Sequence, residues 1–193
     1  DGKVGGRLLG TTTDPYGALL DLAENGVSVK GSRVAILGNG GAARSIAYAM
    51  LLEGAESLTI VSRNADRGAE LAAALSEAFP QKPAVGHVLF GEFGKIRDSL
   101  DLVLNATSVG MTPNEEDSPL PREMLSKKFV VCDIVYAPAE TRLLREAKSV
   151  GCKTVGGSAM LVYQGAKSFE YWFPGKKADI STMKTAIGLA EER

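Results

Sequence analysis

From residue 33 onward, short apolar runs alternate with longer segments whose apolar positions recur at helical spacing. The runs at 33–37, 58–62, 101–105 and 129–135 are compact and bounded by polar residues or glycine, the pattern of parallel strands buried on both faces. Segment 84–89 is a weaker third strand, and 153–155 is a last short strand ahead of Gly156 and Gly157. Helices fall between and after them. The first covers 42–52. The second covers 64–79, with Asn64 placed to cap it and Pro80 and Pro83 to end it. Helix 141–150 closes at Gly151, and 158–172 and 179–192 follow it. Repeated strand–helix alternation with short connections predicts an α/β fold: a Rossmann-like doubly wound parallel sheet with helices on both faces. A binding crevice is then expected at the carboxyl ends of the strands.

Segment 7–24, where Asp14-Pro15-Tyr16-Gly17 opens a helix, precedes the first strand and stands outside the first βαβ unit. The chain therefore divides into 1–25, the end of an upstream domain with a connecting helix, and 26–193, the dinucleotide-binding domain with its C-terminal helices. Stretch 112–122, rich in Pro, Glu and Asp, reads as a long exposed loop.

The strand 33–37 runs straight into Gly38-Asn39-Gly40-Gly41-Ala42-Ala43. Gly38 suits the tight turn, Gly40 lets backbone approach a pyrophosphate, and Ala43 keeps helix and strand close. The first N–H groups of the helix, with its dipole, then face the phosphates. The alternative is a turn whose glycines serve sterics alone. At the end of the second strand, where an NAD site usually carries an acid for the ribose 2′-hydroxyl, this chain has Ser62-Arg63-Asn64, with Arg67 one turn on. Two guanidinium groups beside two small polar side chains suit a 2′-phosphate, so NADP is expected over NAD. A solvated basic patch is the bland alternative. Asn105-Ala106-Thr107-Ser108 ends another strand and turns polar groups to the crevice, or forms a mere turn.

Composition narrows the classes. The 193 residues, 45% hydrophobic, can bury one substantial core with a small appendage. The 22 basic and 23 acidic residues nearly cancel, which points away from nucleic acid. No apolar stretch is long enough to span a bilayer and no secretory leader is evident, so a cytoplasmic protein without membrane contact is expected. Cys132 and Cys152 lack metal-ligand spacing and are expected as buried thiols. The one histidine, His87, lies in an alternating segment, as a surface or sheet-edge residue would. Histidine triads and zinc sites are thus poor candidates, and no metal is expected. The chain starts at Asp1 without methionine, as a processed product or an excised fragment would.

Six strings occur in order: Gly10-Thr11-Thr12-Thr13-Asp14, Gly38-Asn39-Gly40-Gly41-Ala42, Ser62-Arg63-Asn64, Asn105-Ala106-Thr107-Ser108-Val109-Gly110-Met111, Asp133-Ile134-Val135-Tyr136-Ala137-Pro138 with Thr141, and Met160-Leu161-Val162-Tyr163-Gln164. Their order, spacing and content resemble the shikimate dehydrogenase family, over the carboxyl-terminal two-thirds or so of a member. The resemblance implies reversible NADPH-dependent reduction of 3-dehydroshikimate to shikimate, on the route to aromatic amino acids, in a cleft between a small substrate domain and a Rossmann-like domain. In the family a lysine acts as acid and base beside an aspartate, which Asp14 matches. Tyr136 and Gln164 match positions that touch the substrate. Arg63 matches the 2′-phosphate arginine, with Ser62, Asn64 and Arg67 in the same clamp. Thr107 and Met111 match coenzyme-lining positions, and Asn105, Ala106, Ser108 and Ile134 go with them. Gly157 and Met160 lie where the nicotinamide is held.

Three departures stand out. Thr12 replaces a common asparagine, and Ala159 a usual second glycine. The segment with the Ser-x-Ser pair and the acid–base lysine lies upstream in the family, and the surroundings of Lys3 do not match the lysine motif. The chain is therefore expected to bind coenzyme without a complete acid–base pair, to lack most of the N-terminal domain, and to be compatible with a homodimer.

On the residues alone, Asp14 equally suits a helix N-cap followed by Pro15. Gln164 lies in an apolar helical pattern and needs a partner, which a substrate hydroxyl could supply, or lies on the helix surface. Tyr136 is a rim aromatic or reaches a substrate carboxylate. Phe169, Trp172 and Phe173 suit core or interdomain packing, and Lys127-Lys128, Lys176-Lys177 and Glu191-Glu192 solvated surface. The rivals are a quinate/shikimate dehydrogenase using NAD and a non-catalytic nucleotide-binding module. A Rossmann methyltransferase would want an acid at 62–64.

Overall fold

The computed structural model describes residues 10–80 and 85–189. Lys3, the start of segment 7–24, Pro83, Ala84 and Glu191-Glu192 lie outside them. Six strands form one parallel sheet: β1 (Arg33–Leu37), β2 (Ser57–Ser62), β3 (Val85–Leu89), β4 (Leu102–Asn105), β5 (Val130–Asp133) and β6 (Thr154–Gly156). Their order is β3-β2-β1-β4-β5-β6, with the direction of winding reversed between β1 and β4. In such sheets ligands bind where the order reverses, at the strands' carboxyl ends.

The alternation of side chains along each strand feeds two cores. Val34 and Ile36 of β1 point into a layer made with helices α1 (Asp14–Glu24), α2 (Gly41–Glu53), α3 (Ala65–Ala78) and α5 (Gly157–Trp172). Ala35 and Leu37 point the other way, against α4 (Arg142–Ser149) and the short 3₁₀ turns Phe90–Lys95 and Arg122–Met124. Phe90–Lys95 and a further 3₁₀ turn, Arg97–Ser99, fill the stretch between β3 and β4, where the sequence shows no helical period, while Arg122–Met124 lies between β4 and β5. Helix α6 (Ile180–Ala186) packs on α5 and is shorter than the sequence pattern suggests. Cys132 and Cys152 are buried free thiols, as expected.

Helix α1 joins the larger core through Ala18 and Leu22 and crosses α5 closely. A Cβ on Gly17 would lie 2.7 Å from the Met160 carbonyl oxygen, so only glycine permits that crossing. The crossing brings the start of α1 beside the start of α5, and with it Asp14 beside Gln164.

Candidate functional site

At the end of β1, Gly38 takes φ +110°, and a Cβ there would meet the Ala106 carbonyl oxygen at 3.0 Å. Its N–H donates to the Val61 carbonyl at 2.8 Å, and the Ala106 N–H donates to the Leu37 carbonyl at 2.9 Å. The chain's own packing thus requires this glycine. Gly40 and Gly41 differ: a Cβ on either would meet nothing within 4 Å. Gly40 is also the N-cap of α2 in an ordinary extended conformation (φ −80°), so no feature of the fold demands glycine there. Small residues at open positions suit close approach by a ligand, and α2 opens with N–H groups that have no intrahelical acceptor. Beside them the Asn39 side-chain amide nitrogen is buried without a hydrogen-bond partner. A dinucleotide diphosphate fits these three features.

The turn is one wall of a cavity of about 340 Å³ lined by Gly38, Asn39, Gly40, Ser62, Arg63, Asn64, Arg67, Phe90, Ala106, Thr107 and Ser108. Arg63 and Arg67 are exposed, and among the described residues no carboxylate lines this space. Asn64 caps α3, its Oδ1 accepting the Arg67 N–H at 2.9 Å. Gly41 and Ala42 form the first turn of α2 just behind the glycine loop. Asn105 lies beneath the cavity, fully buried, where its Oδ1 accepts the Thr107 N–H at 3.0 Å and hydroxyl at 2.7 Å. Asn105 Nδ2 donates to Asp133 at 2.9 Å, and the other carboxylate oxygen of Asp133 accepts the Thr141 hydroxyl at 2.7 Å. Burial raises the pKa of Asp133, with the Thr141, Val135 and Asn105 donors opposing that rise. This network ties the loops after β4 and β5 together under the crevice. Met111 is 42% exposed and, like Gly41, Ala42 and Asn105, stands outside the lining of this cavity.

A second cavity, about 280 Å³, is bounded by Asp14, Ile134, Tyr136, Gly157, Met160, Leu161 and Gln164. It draws together residues from both ends of the chain. Thr13, rather than Asp14, is the N-cap of α1, and Asp14 is the first helical residue. Gln164 has its own partners: Oε1 accepts the Thr13 hydroxyl at 3.0 Å, and Nε2 donates to the Leu161 carbonyl at 3.2 Å. Nothing in the sequence pairs it with Thr13. Tyr136 is 51% exposed at the rim. Gly157 packs so tightly that a Cβ would stand 2.4 Å from the Ile134 carbonyl oxygen. A third cavity on the outer side of Asp14, about 300 Å³, is lined by Thr11, Thr12, Ser168, Tyr171 and Trp172 among others. A larger groove, about 570 Å³ between α1 and the 26–29 turn, is mainly apolar and lies away from both; size alone does not identify the site.

The sequence reading missed Asp21, which is 3% exposed near the start of α5. It accepts a hydrogen bond from Asn25 Nδ2 at 2.9 Å and one from the Met160 backbone N–H, yet burial pushes its pKa up to about 6. The signal was present: Asp21 shares a helical face with the core residues Ala18 and Leu22. Phe90, which the sequence did not single out, lines the cavity beside Arg63, and His87, expected only at a surface or sheet edge, meets Ser62. Neither lies in a motif.

Strand order, glycine turn and basic strand tip together define a dinucleotide-binding α/β domain with an adjoining second cavity. The model for "Shikimate / quinate 5-dehydrogenase" matches residues 21–134, more than half of the chain, and that for "Shikimate 5'-dehydrogenase C-terminal domain" matches residues 157–187. The chain belongs to the shikimate/quinate dehydrogenase family. It is 45% identical over 190 residues to the shikimate dehydrogenase (NADP(+)) of Symbiobacterium thermophilum, covering 97% of this chain and 64% of that protein. The crystal structure of shikimate 5-dehydrogenase from Thermus thermophilus in complex with NADP(H) and shikimate is similar at 36% identity and a TM-score of 0.78, over 95% of this chain and 64% of that one. Quinate dehydrogenase from Corynebacterium glutamicum in complex with NAD is similar at 32% identity and a TM-score of 0.80, over 91% and 61%. The chain thus spans a little under two thirds of the length of these relatives.

Proposed function

We propose that this chain is the coenzyme-binding portion of an NADP-dependent shikimate dehydrogenase, which interconverts shikimate and 3-dehydroshikimate. The observation that carries the reading is the cavity that joins an open glycine turn to a strand tip with two arginines and, among the described residues, no carboxylate in its lining. Backbone N–H groups of the 38–42 turn would hold the diphosphate, and Arg63, Asn64 and Arg67 the 2′-phosphate. Bound NADP supplies the hydride acceptor in one direction and the donor in the other. Gly157, Ile134 and Met160 would flank the nicotinamide, close to Asp14.

The remaining chemistry is a proton moved at the ring oxygen. Asp14 and Gln164 would orient that ring by hydrogen bonds, with Thr13 fixing the rotamer of Gln164. Tyr136 would close the rim. Asp14 would act beside a lysine from the upstream third of the enzyme, with α1 as the connecting helix. The same reading has the enzyme working in the cytoplasm on a small-molecule substrate, as a monomer or homodimer.

The test is a coenzyme-reduction assay on this chain joined to its upstream domain, with shikimate and quinate against NADP and NAD. Oxidation of shikimate with NADP preferred is expected. No turnover with any pair would leave a non-catalytic binding module, and a preference for quinate with NAD would overturn the substrate and coenzyme together.

A further inference from the structure

The sole histidine of the chain sits behind the basic strand tip rather than apart from it. His87 is on the edge strand β3, half-buried, and its Nε2 lies 3.0 Å from Ser62 Oγ at the end of β2. The direction of that bond follows from the donors available. Ser62 Oγ gives its only proton to the Asn64 carbonyl, at 2.8 Å. Toward His87 it can therefore only accept, so Nε2 carries a hydrogen. The Asn64 carbonyl also accepts the Gly68 N–H at 3.1 Å, while Asn64 Oδ1 takes the Arg67 N–H. Imidazole, hydroxyl and carbonyl form one chain that ends at the turn carrying Arg63, Asn64 and Arg67.

Packing closes over the same chain. A Cβ on Gly68 would stand 2.2 Å from His87 Nε2 and 2.4 Å from Ser62 Oγ. Gly68 is in the first turn of α3 and has no need of glycine for its own backbone, since its φ is not positive. The missing side chain is what lets the imidazole fit under the helix start. Three elements, β2, α3 and β3, thus meet at one point, and that point lies directly beneath the arginine turn. The glycine turn after β1 forms the opposite side of the cavity.

We propose that His87 is a positioning residue for coenzyme selection: by donating to Ser62 it holds the Ser62–Asn64 turn where Arg63, Asn64 and Arg67 converge on the 2′-phosphate. The inference rests on the NADP reading of this cavity. It differs from that reading because it concerns a residue that stands outside the cavity lining and acts through Ser62. NAD, which lacks the 2′-phosphate, depends on the glycine turn and should be indifferent to His87.

The experiment measures dissociation constants for NADPH and NADH, by quenching of protein fluorescence, on the parent chain and on His87→Ala, His87→Gln and His87→Asn. A glutamine amide reaches as far as Nε2 and can donate to Ser62; the asparagine amide stops a bond short. The alanine and asparagine variants should weaken NADPH by about 3- to 10-fold, the worth of one hydrogen bond, with NADH changed less than about 2-fold. The glutamine variant should recover most of the loss. Unchanged NADPH binding in the alanine variant overturns the proposal, as does equal loss for both coenzymes, which would mark a merely structural role. Failure of glutamine to recover binding overturns the hydrogen-bond mechanism. Should the alanine variant not fold, the glutamine–asparagine comparison decides by the same criterion. Absence of NADPH binding by the parent chain, by contrast, overturns the NADP reading itself and this inference with it.

Discussion

Replacing Asp21 with asparagine removes a carboxylate that the fold holds against its preference for water. The side chain is 3% exposed, and burial raises its pKa from 3.8 to about 6. Glu24 adds to the rise, while the Met160 N–H, Lys184 and Asn25 oppose it. The folded state therefore prefers the protonated acid. Between pH 3.8 and about 6 the native chain binds more protons at Asp21 than the unfolded one does, so stability falls as pH rises through this window. Above it the full cost is present. Two pKa units correspond to about 3 kcal/mol, an upper bound on what the neutral amide can recover. Asparagine keeps the shape. Its Oδ1 can still accept the Met160 N–H, and its Nδ2 can donate to Asn25 once that amide turns over, at the loss of the bond Asn25 Nδ2 gives the residue 21 carbonyl, which reduces the gain below that bound. Urea denaturation of Asp21→Asn and the parent chain, from pH 4 to pH 8, reads the difference directly. Taking the difference cancels exposed carboxylates such as Glu92 and Asp179, whose pKa values are lowered by local donors and which act in the opposite sense. The variant should be more stable by about 1–3 kcal/mol at pH 8, with the gain vanishing toward pH 4. A difference that is flat with pH, or a variant less stable at pH 8, would refute the reasoning.

Two glycine substitutions separate packing from ligand approach. Gly40→Ala places a methyl in open space, so urea stability should move by less than about 0.5 kcal/mol while coenzyme affinity drops several-fold; unchanged affinity would return the turn to a steric role. Gly157→Ala puts a methyl 2.4 Å from the Ile134 carbonyl oxygen, against backbone that cannot yield cheaply. It should cost about 1–3 kcal/mol in the same denaturation assay, and a neutral result would mean that α5 can shift freely.

Local periodicity carried most of the fold. The run 33–37 is strand β1 to the residue, and Asn64 caps α3 as its position before Ala65 suggested. The predicted strand 129–135 shortens to Val130–Asp133, because Asp133 ends the strand by taking the Val135 N–H at 3.1 Å, a bond no strand pattern encodes. The 3₁₀ turns after β3 escaped for want of a period. On the site side, residues within one motif were legible, since a strand tip presents neighbours in sequence to one crevice. Contacts between distant motifs were not. Thr13 and Gln164 are 151 residues apart, and Ser62 and His87 meet only because β2 and β3 pair in register.

The claim at the centre of this account is that the strand tip at Ser62–Asn64, with Arg67, recognises an adenosine 2′-phosphate. Calorimetric titration of the chain with adenosine 2′,5′-bisphosphate and with adenosine 5′-monophosphate isolates that one group. The bisphosphate should bind at least about 10-fold more tightly, the equivalent of about 1.4 kcal/mol, and Arg63→Ala with Arg67→Ala should abolish the difference. Equal affinity for the two nucleotides in the unmutated chain would contradict it.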